Sequence, residues 1–127
     1  MRRNERGAAA VEFALVLPLL VLLFAGIAEL GRIYYLQATL SGAAREGARV
    51  MAVQNDTTAS TAAVQTAAGS VAISNSQIAV SPATGACRST TSPRQATVII
   101  TFTTPLVSSM FGTSVTVHGR GVMRCGG

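Results

Sequence analysis

The chain contains no lysine and no tryptophan, a single histidine, a single aspartate and two cysteines. Charged residues make up 12% of its 127 positions, about half the ~25% usual in globular domains. That scarcity excludes most chemistries. Asp56 and His118 lie far apart, with no acid near the histidine in sequence, so a Ser/His/Asp set is missing. Cysteines at 87 and 125 make neither a four-ligand zinc site nor a C-x-x-C redox pair. No Gly-rich phosphate loop is present. The ten arginines are dispersed and the aromatics are four Phe and two Tyr, which is not the Arg clustering with stacking residues of a nucleic-acid groove. The inventory implies a protein that is not an enzyme, holds no cofactor or metal, and takes neither nucleic acid nor a small-molecule substrate.

What the chain does have is a long apolar run, Ala8 to Leu30, AAAVEFALVLPLLVLLFAGIAEL, interrupted only by Glu12, Pro18, Gly26 and Glu29. As a helix it rises about 34 Å, enough to cross a ~30 Å hydrocarbon layer. The remaining residues, rich in Ala, Thr, Ser and Gly, are too few and too small to surround such a helix as a core. Pro18 frees the carbonyl of Ala14, which membrane helices tolerate. The preceding flank, MRRNERG, carries three arginines and the α-amine. Arg32, Arg45 and Arg49 follow the run, so arginine numbers tie. The denser N-terminal cluster predicts a cytoplasmic N-terminus and an extracytoplasmic C-terminal domain. The net charge of +5 favours contact with anionic lipid heads. A cleaved secretory signal shares the basic start, and Gly26-Ile27-Ala28 offers small residues, but the run exceeds a signal core of roughly 7–15 residues and contains Glu12.

A short basic leader, Gly7, four small apolar residues and then Glu12-Phe13 resemble the processing site of type IV prepilins and pseudopilins. In that class a prepilin peptidase cuts after the glycine. Carried over, the cut falls between Gly7 and Ala8, and Glu12 becomes the fifth residue of the mature chain. A carboxylate at the bilayer centre costs roughly 2.5–3.5 kcal/mol, so Glu12 needs a partner. The α-ammonium freed at Ala8 of a neighbouring subunit would supply one. The longer stretch RGAAAVEFALVLPLLVLLFAGIAELGRIYY, followed by AAREGAR at 43–49, resembles the TadE-like family, pseudopilins or minor pilins of the bacterial tight-adherence (Tad) pilus system. The resemblance implies a pilin-like fold, a single-pass protein of the bacterial inner (cytoplasmic) membrane, and three kinds of partner: the lipid bilayer, a prepilin peptidase, and other pilin-like subunits with the Tad assembly machinery. An uncleaved, signal-anchored extracytoplasmic scaffold or binding protein of the same topology is the alternative.

Nothing breaks the helix until Asn55-Asp56. Ile33, Leu36, Leu40, Ala44 and Ala48 form one apolar stripe, and the pairs Ala43/Gly47 and Ala44/Ala48 allow close approach. A helix over 8–53 would be about 69 Å long. QNDTTAST at 54–61 is a polar break with cap candidates Asp56 and Thr57. A short helix over 59–71, with Ala63, Ala67 and Val71 on one side, follows, then a strand over 77–81 and a loop over 82–95 containing Cys87. Ala96 to Thr103 alternates as a half-buried strand ended by Pro105. Leu106 to Phe111 reads as an apolar turn or short helix. In the last strand Val115, Val117, Gly119, Gly121 and Met123 share one face, opposite Thr116, His118, Arg120 and Arg124. The two long strands are expected to pair antiparallel under the stalk helix.

The expected fold class is therefore α+β and membrane-anchored: a long transmembrane and stalk helix packed on a small antiparallel sheet. Its expected divisions are a leader (1–7), a membrane helix (8–30), a helical continuation (31–54) and an extracytoplasmic domain (55–127). Outside the cytoplasm, Cys87 and Cys125 are expected to form a disulfide.

Overall fold

The computed structural model describes residues 2–88, 95–106 and 112–126, with the backbone alone for Arg2 and Arg3. Its elements are helices α1 (Arg2–Gln54) and α2 (Thr57–Ala67) and strands β1 (Ile78–Ser81), β2 (Gln95–Pro105) and β3 (Ser114–Arg124). Single 3-10 turns lie at Asn75–Gln77 and Ala86–Arg88. The chain divides into two units, Met1–Arg32 and Ile33–Gly127. The first is helix only. The second is α+β: the C-terminal part of α1, α2, and an antiparallel sheet in the order β1-β2-β3.

Helix α1 begins within the basic leader, at Arg2, not at Ala8, because no residue from Arg2 to Gly7 breaks a helix that the following apolar run propagates. It stops at Gln54, where Asn55 adopts a left-handed conformation (φ 59°), one that Asn tolerates better than other side chains. Asp56 then caps α2, its Oδ1 accepting from the Thr58 amide at 2.8 Å, a cap that contributes about 1 kcal/mol. The cap sets the start of α2 at Thr57, two residues ahead of the sequence expectation, and the helix ends at Ala67. Of its expected side, Ala67 is exposed and Ala63 half-buried, while Val71, beyond the helix end, packs partly buried against the core; the buried face is Ser60 and Val64, continued by Ala68. The reason is Ser60, whose hydroxyl donates to the Gly47 carbonyl at 2.8 Å. The bond satisfies a buried polar atom and lets α2 close on the Ala43/Gly47 side of α1. A Cβ at Gly47 would run into Val64 Cγ2.

The strands follow their alternation. Ala96, Val98, Ile100 and Thr104 of β2 are buried, with Phe102 half-buried between them. On β3, Val117, Gly119 and Gly121 are buried, but Met123, although paired with the buried Ala96, is exposed. Thirteen residues after β1, β2 returns in register, Ile78 opposite Ile100, and β3 pairs along its whole length, from Gln95 opposite Arg124 to Pro105 opposite Ser114. Of the predicted 106–111 turn, residues 107–111 lie outside the described residues.

One core joins Leu40, Ala43, Ala44 and Ala48 of α1 to Val64, Ala68, Ile73, Val98, Ile100 and Val117. Its members are small, so backbones must come close, and they do so along β3. A Cβ at Gly119 would meet the carbonyl of Leu40, and one at Gly121 would meet the backbone of Ala44 and Arg45. Two residues of strand advance about 6.7 Å and four of helix about 6 Å, so the two glycines match successive turns of α1. The Gln37 amide donating to the His118 carbonyl at 2.7 Å and the Gly126 amide donating to the Ala52 carbonyl at 3.2 Å continue the same registry at either end.

A second cluster holds Met51, Ala52, Cys87 and Ala96, with Val80 and Cys125 against it. Cys87 and Cys125 form the expected disulfide, with Cα atoms 5.4 Å apart. Cys87 is 6% exposed, so it is a core residue and not a member of an exposed loop. Asn55 puts it there: its Oδ1 accepts from the Cys87 amide at 2.9 Å, and its carbonyl accepts from Gly85 at 3.1 Å.

Two predictions follow from this packing. Gly121→Ala should destabilise the second unit by about 1–3 kcal/mol, since its Cβ meets backbone and no side chain can rotate away. Gly42→Ala, on α1 where nothing lies near the added methyl, should instead stabilise by about 0.5–1 kcal/mol; urea unfolding in detergent compares the two. Cys125→Ser should remove up to about 4 kcal/mol of chain-entropy stabilisation, from a loop closed across 38 positions. Limited proteolysis should then cut the C-terminal region faster, with membrane extraction behaviour unchanged.

Candidate functional site

The first unit has almost nothing to bury its side chains against. Every residue from Asn4 to Ala28 is exposed, including Phe13, Leu15, Leu19, Leu22 and Phe24. Within residues 4–54 the most apolar window has a mean hydropathy of 2.5 and no buried share, and the helix is long and apolar enough to cross a membrane. A helix that is apolar all round calls for a non-aqueous surrounding, lipid or other helices.

Gly7, Ala8 and Glu12 all lie in the first turns of α1. A Cβ at Gly7 would meet nothing within 4 Å, so nothing within this chain's packing requires glycine there. Ala8 and Glu12 are four residues apart, which puts them on one helix face, about 6 Å apart along the axis. Among the described residues Glu12 forms no ion pair. An ammonium at Ala8 would therefore sit one turn from a carboxylate on the same face, in its own chain or in a parallel neighbour. Cys87 and Cys125 belong to the second unit.

Glu29, the second acid of the apolar run, is handled differently. Arg32 Nη2 donates to its Oε1 at 2.8 Å, and the Glu29 side chain is 14% exposed. Pairing removes the net charge from the end of the run, which lowers its cost in a low-dielectric layer. Sequence reasoning treated Glu29 as an interruption and Arg32 as flanking charge. Their i, i+3 spacing was the available signal, the same spacing that joins Glu46 to Arg49 in the second unit. There the guanidinium donates two hydrogen bonds, at 2.8 and 3.1 Å. Those bonds, aided by the positive charge, hold the Glu46 carboxyl below its usual range and raise Arg49. Because the folded-state value of Glu46 is depressed, the contribution of this solvent-exposed pair is present at neutral pH and fades as pH falls through the carboxylate range.

Among the described residues the second unit brings no catalytic group of side chains together. His118 is exposed on β3, its Nδ1 lying 3.4 Å from the Thr101 hydroxyl. Among the described residues no group of three or more His, Cys, Asp or Glu is placed to hold a metal. A shallow groove along α2, lined by Thr57, Thr58, Thr61, Ala62, Gln65 and Asn75, carries only hydroxyls and amides, several already bonded to one another or to backbone.

The distinctive chemistry among the described residues is thus at the N-terminal end: a glycine with open space around it, a small residue, an acid without an ion pair one turn later and an uncovered apolar helix. No curated protein and no solved structure matches the chain. Residues 7–49, which hold that whole arrangement and the face of α1 that packs on the sheet, match the family of TadE-like proteins, the family that the sequence resembles.

Proposed function

We propose that this chain is a pseudopilin or minor pilin that acts by assembly: a prepilin peptidase removes residues 1–7, and the freed amine of Ala8 meets Glu12 of a neighbouring subunit. The TadE-like match over residues 7–49 supports a pilin-like component associated with a Tad pilus. The observation that carries the finer reading is the conjunction on α1 of Gly7, free of packing constraint, with Glu12 one turn beyond Ala8. Residues 8–30 are the membrane helix, 31–54 its continuation and 55–127 the remaining domain. The N-terminus lies in the cytoplasm and the second unit outside it, in a bacterial inner membrane. The disulfide supports that side for the second unit, since such bonds persist in oxidising compartments. The partners are the bilayer, the peptidase, other pilin-like subunits and the Tad assembly machinery.

One observation favours the alternative, an uncleaved signal-anchored scaffold or binding protein. The Gly7–Ala8 bond lies inside α1, which is continuous from Arg2, and a helical bond must open before a protease can bind it. Intact mass separates the two readings. On co-expression with a cognate peptidase, the chain should lose residues 1–7 and begin at Ala8. Gly7→Arg should abolish the cut while leaving the fold intact, because the added side chain enters open space. Glu12→Ala should be cut normally but co-purify less with other pilin-like subunits. A full-length chain in cells with active peptidase would discard processing and leave the scaffold.

A further inference from the structure

Tyr34 and Tyr35 stand out in the second unit. They are 76% and 59% exposed, while their neighbours Ile33 and Leu36 turn inward to the core. Both are large aromatic bodies with a polar tip, directed away from the domain they belong to, and nothing in the core requires either. Aromatics of this kind concentrate where a membrane helix passes through the headgroup layer.

The helix length supports that location. A helix over residues 12–34 rises about 34 Å, close to the ~30 Å thickness of the hydrocarbon core. Glu12 and the tyrosine pair would then mark its two faces. The apolar run by itself ends at Leu30, four residues earlier, with Glu29 and Arg32 between. Those two charges do not force the boundary back to residue 29, because they form an ion pair.

Resting on the reading that residues 8–30 cross the bilayer, we infer that Tyr34 and Tyr35 are seated in the lipid headgroup layer. The far edge of the membrane is therefore at residues 34–35, and the Glu29–Arg32 pair is held neutral just inside it. The partner of this surface is lipid, a mixed zwitterionic and anionic bilayer interface. Continuity carries the assignment: the exposed helix reaches these residues without a break in secondary structure.

The absence of tryptophan from the chain makes the test direct. Leu22→Trp, Tyr34→Trp, Tyr35→Trp and Val53→Trp variants of the full chain are reconstituted in phosphatidylcholine–phosphatidylglycerol vesicles. Val53 is 55% exposed on the same helix and serves as the aqueous reference, so that sidedness of insertion cancels. Trp at 34 and at 35 should be quenched by headgroup-region nitroxide lipid, with iodide quenching about threefold weaker than at 53, as expected for an interfacial site. Iodide quenching at 34 and 35 equal to that at 53 would overturn the inference. So would protection that disappears when the chain is diluted in lipid, since a second copy would then be the cover. Leu22→Trp tells this failure from that of the membrane reading. Quenching there by mid-bilayer brominated lipid shows that the helix is inserted, and its absence overturns both.

Discussion

At Gly119 and Gly121 the backbone of β3 comes against the backbone of α1 at Leu40, Ala44 and Arg45, with no room for a side chain between them. The rest of the second unit depends on that approach. With Ala43, Ala44 and Ala48 as the helix contribution to the core, little apolar area is available, and burial stabilises in proportion to area. Small side chains compensate only if the elements close to short range, where dispersion contacts are recovered. Glycine on the strand and alanine on the helix are two halves of that solution, repeated where α2 crosses α1 at Gly47. The disulfide fits the same circumstance, since domains with thin cores lean on covalent ties.

The two units solve opposite problems. In the second, scarce apolar area is drawn inward until even Ser60 is fully buried and bonded. In the first, abundant apolar area is left entirely outward. A single helix serves both because helix formation satisfies its backbone groups in water and in lipid alike. The TadE-like match covers residues 7–49, the outward run together with most of the inward-facing stripe.

Much of this was legible in the sequence because it rests on period and composition. The alternation of Ala96, Val98 and Ile100, the stripe through Leu36, Leu40, Ala44 and Ala48, and the glycines of β3 all announce a face. The disulfide was legible from there being two cysteines and a thin core. The burial of Cys87 was not: its surroundings, PATGACRSTTSPRQ, read as loop, and what pulls it inward is one side-chain carbonyl, that of Asn55, 32 positions away. The buried face of α2 is only partly legible, since Val71 does pack on the core but Ser60 counts as polar in any periodicity, although a hydroxyl with a carbonyl to donate to is at home in a core. At the N-terminal end, Gly7, Ala8 and Glu12 were found by pattern. The structure adds that Gly7 is free of internal constraint, which no pattern conveys.

The parallel course of α1 and β3 has a mechanical consequence. The ties from Gln37–His118 through Gly119 and Gly121 to Ala52–Gly126 are strung along two elements running in the same direction. Tension along the helix axis in this stretch therefore loads them in shear, all together, rather than unzipping them one after another. The end of the row at Gly126 is the end the Cys87–Cys125 bond closes.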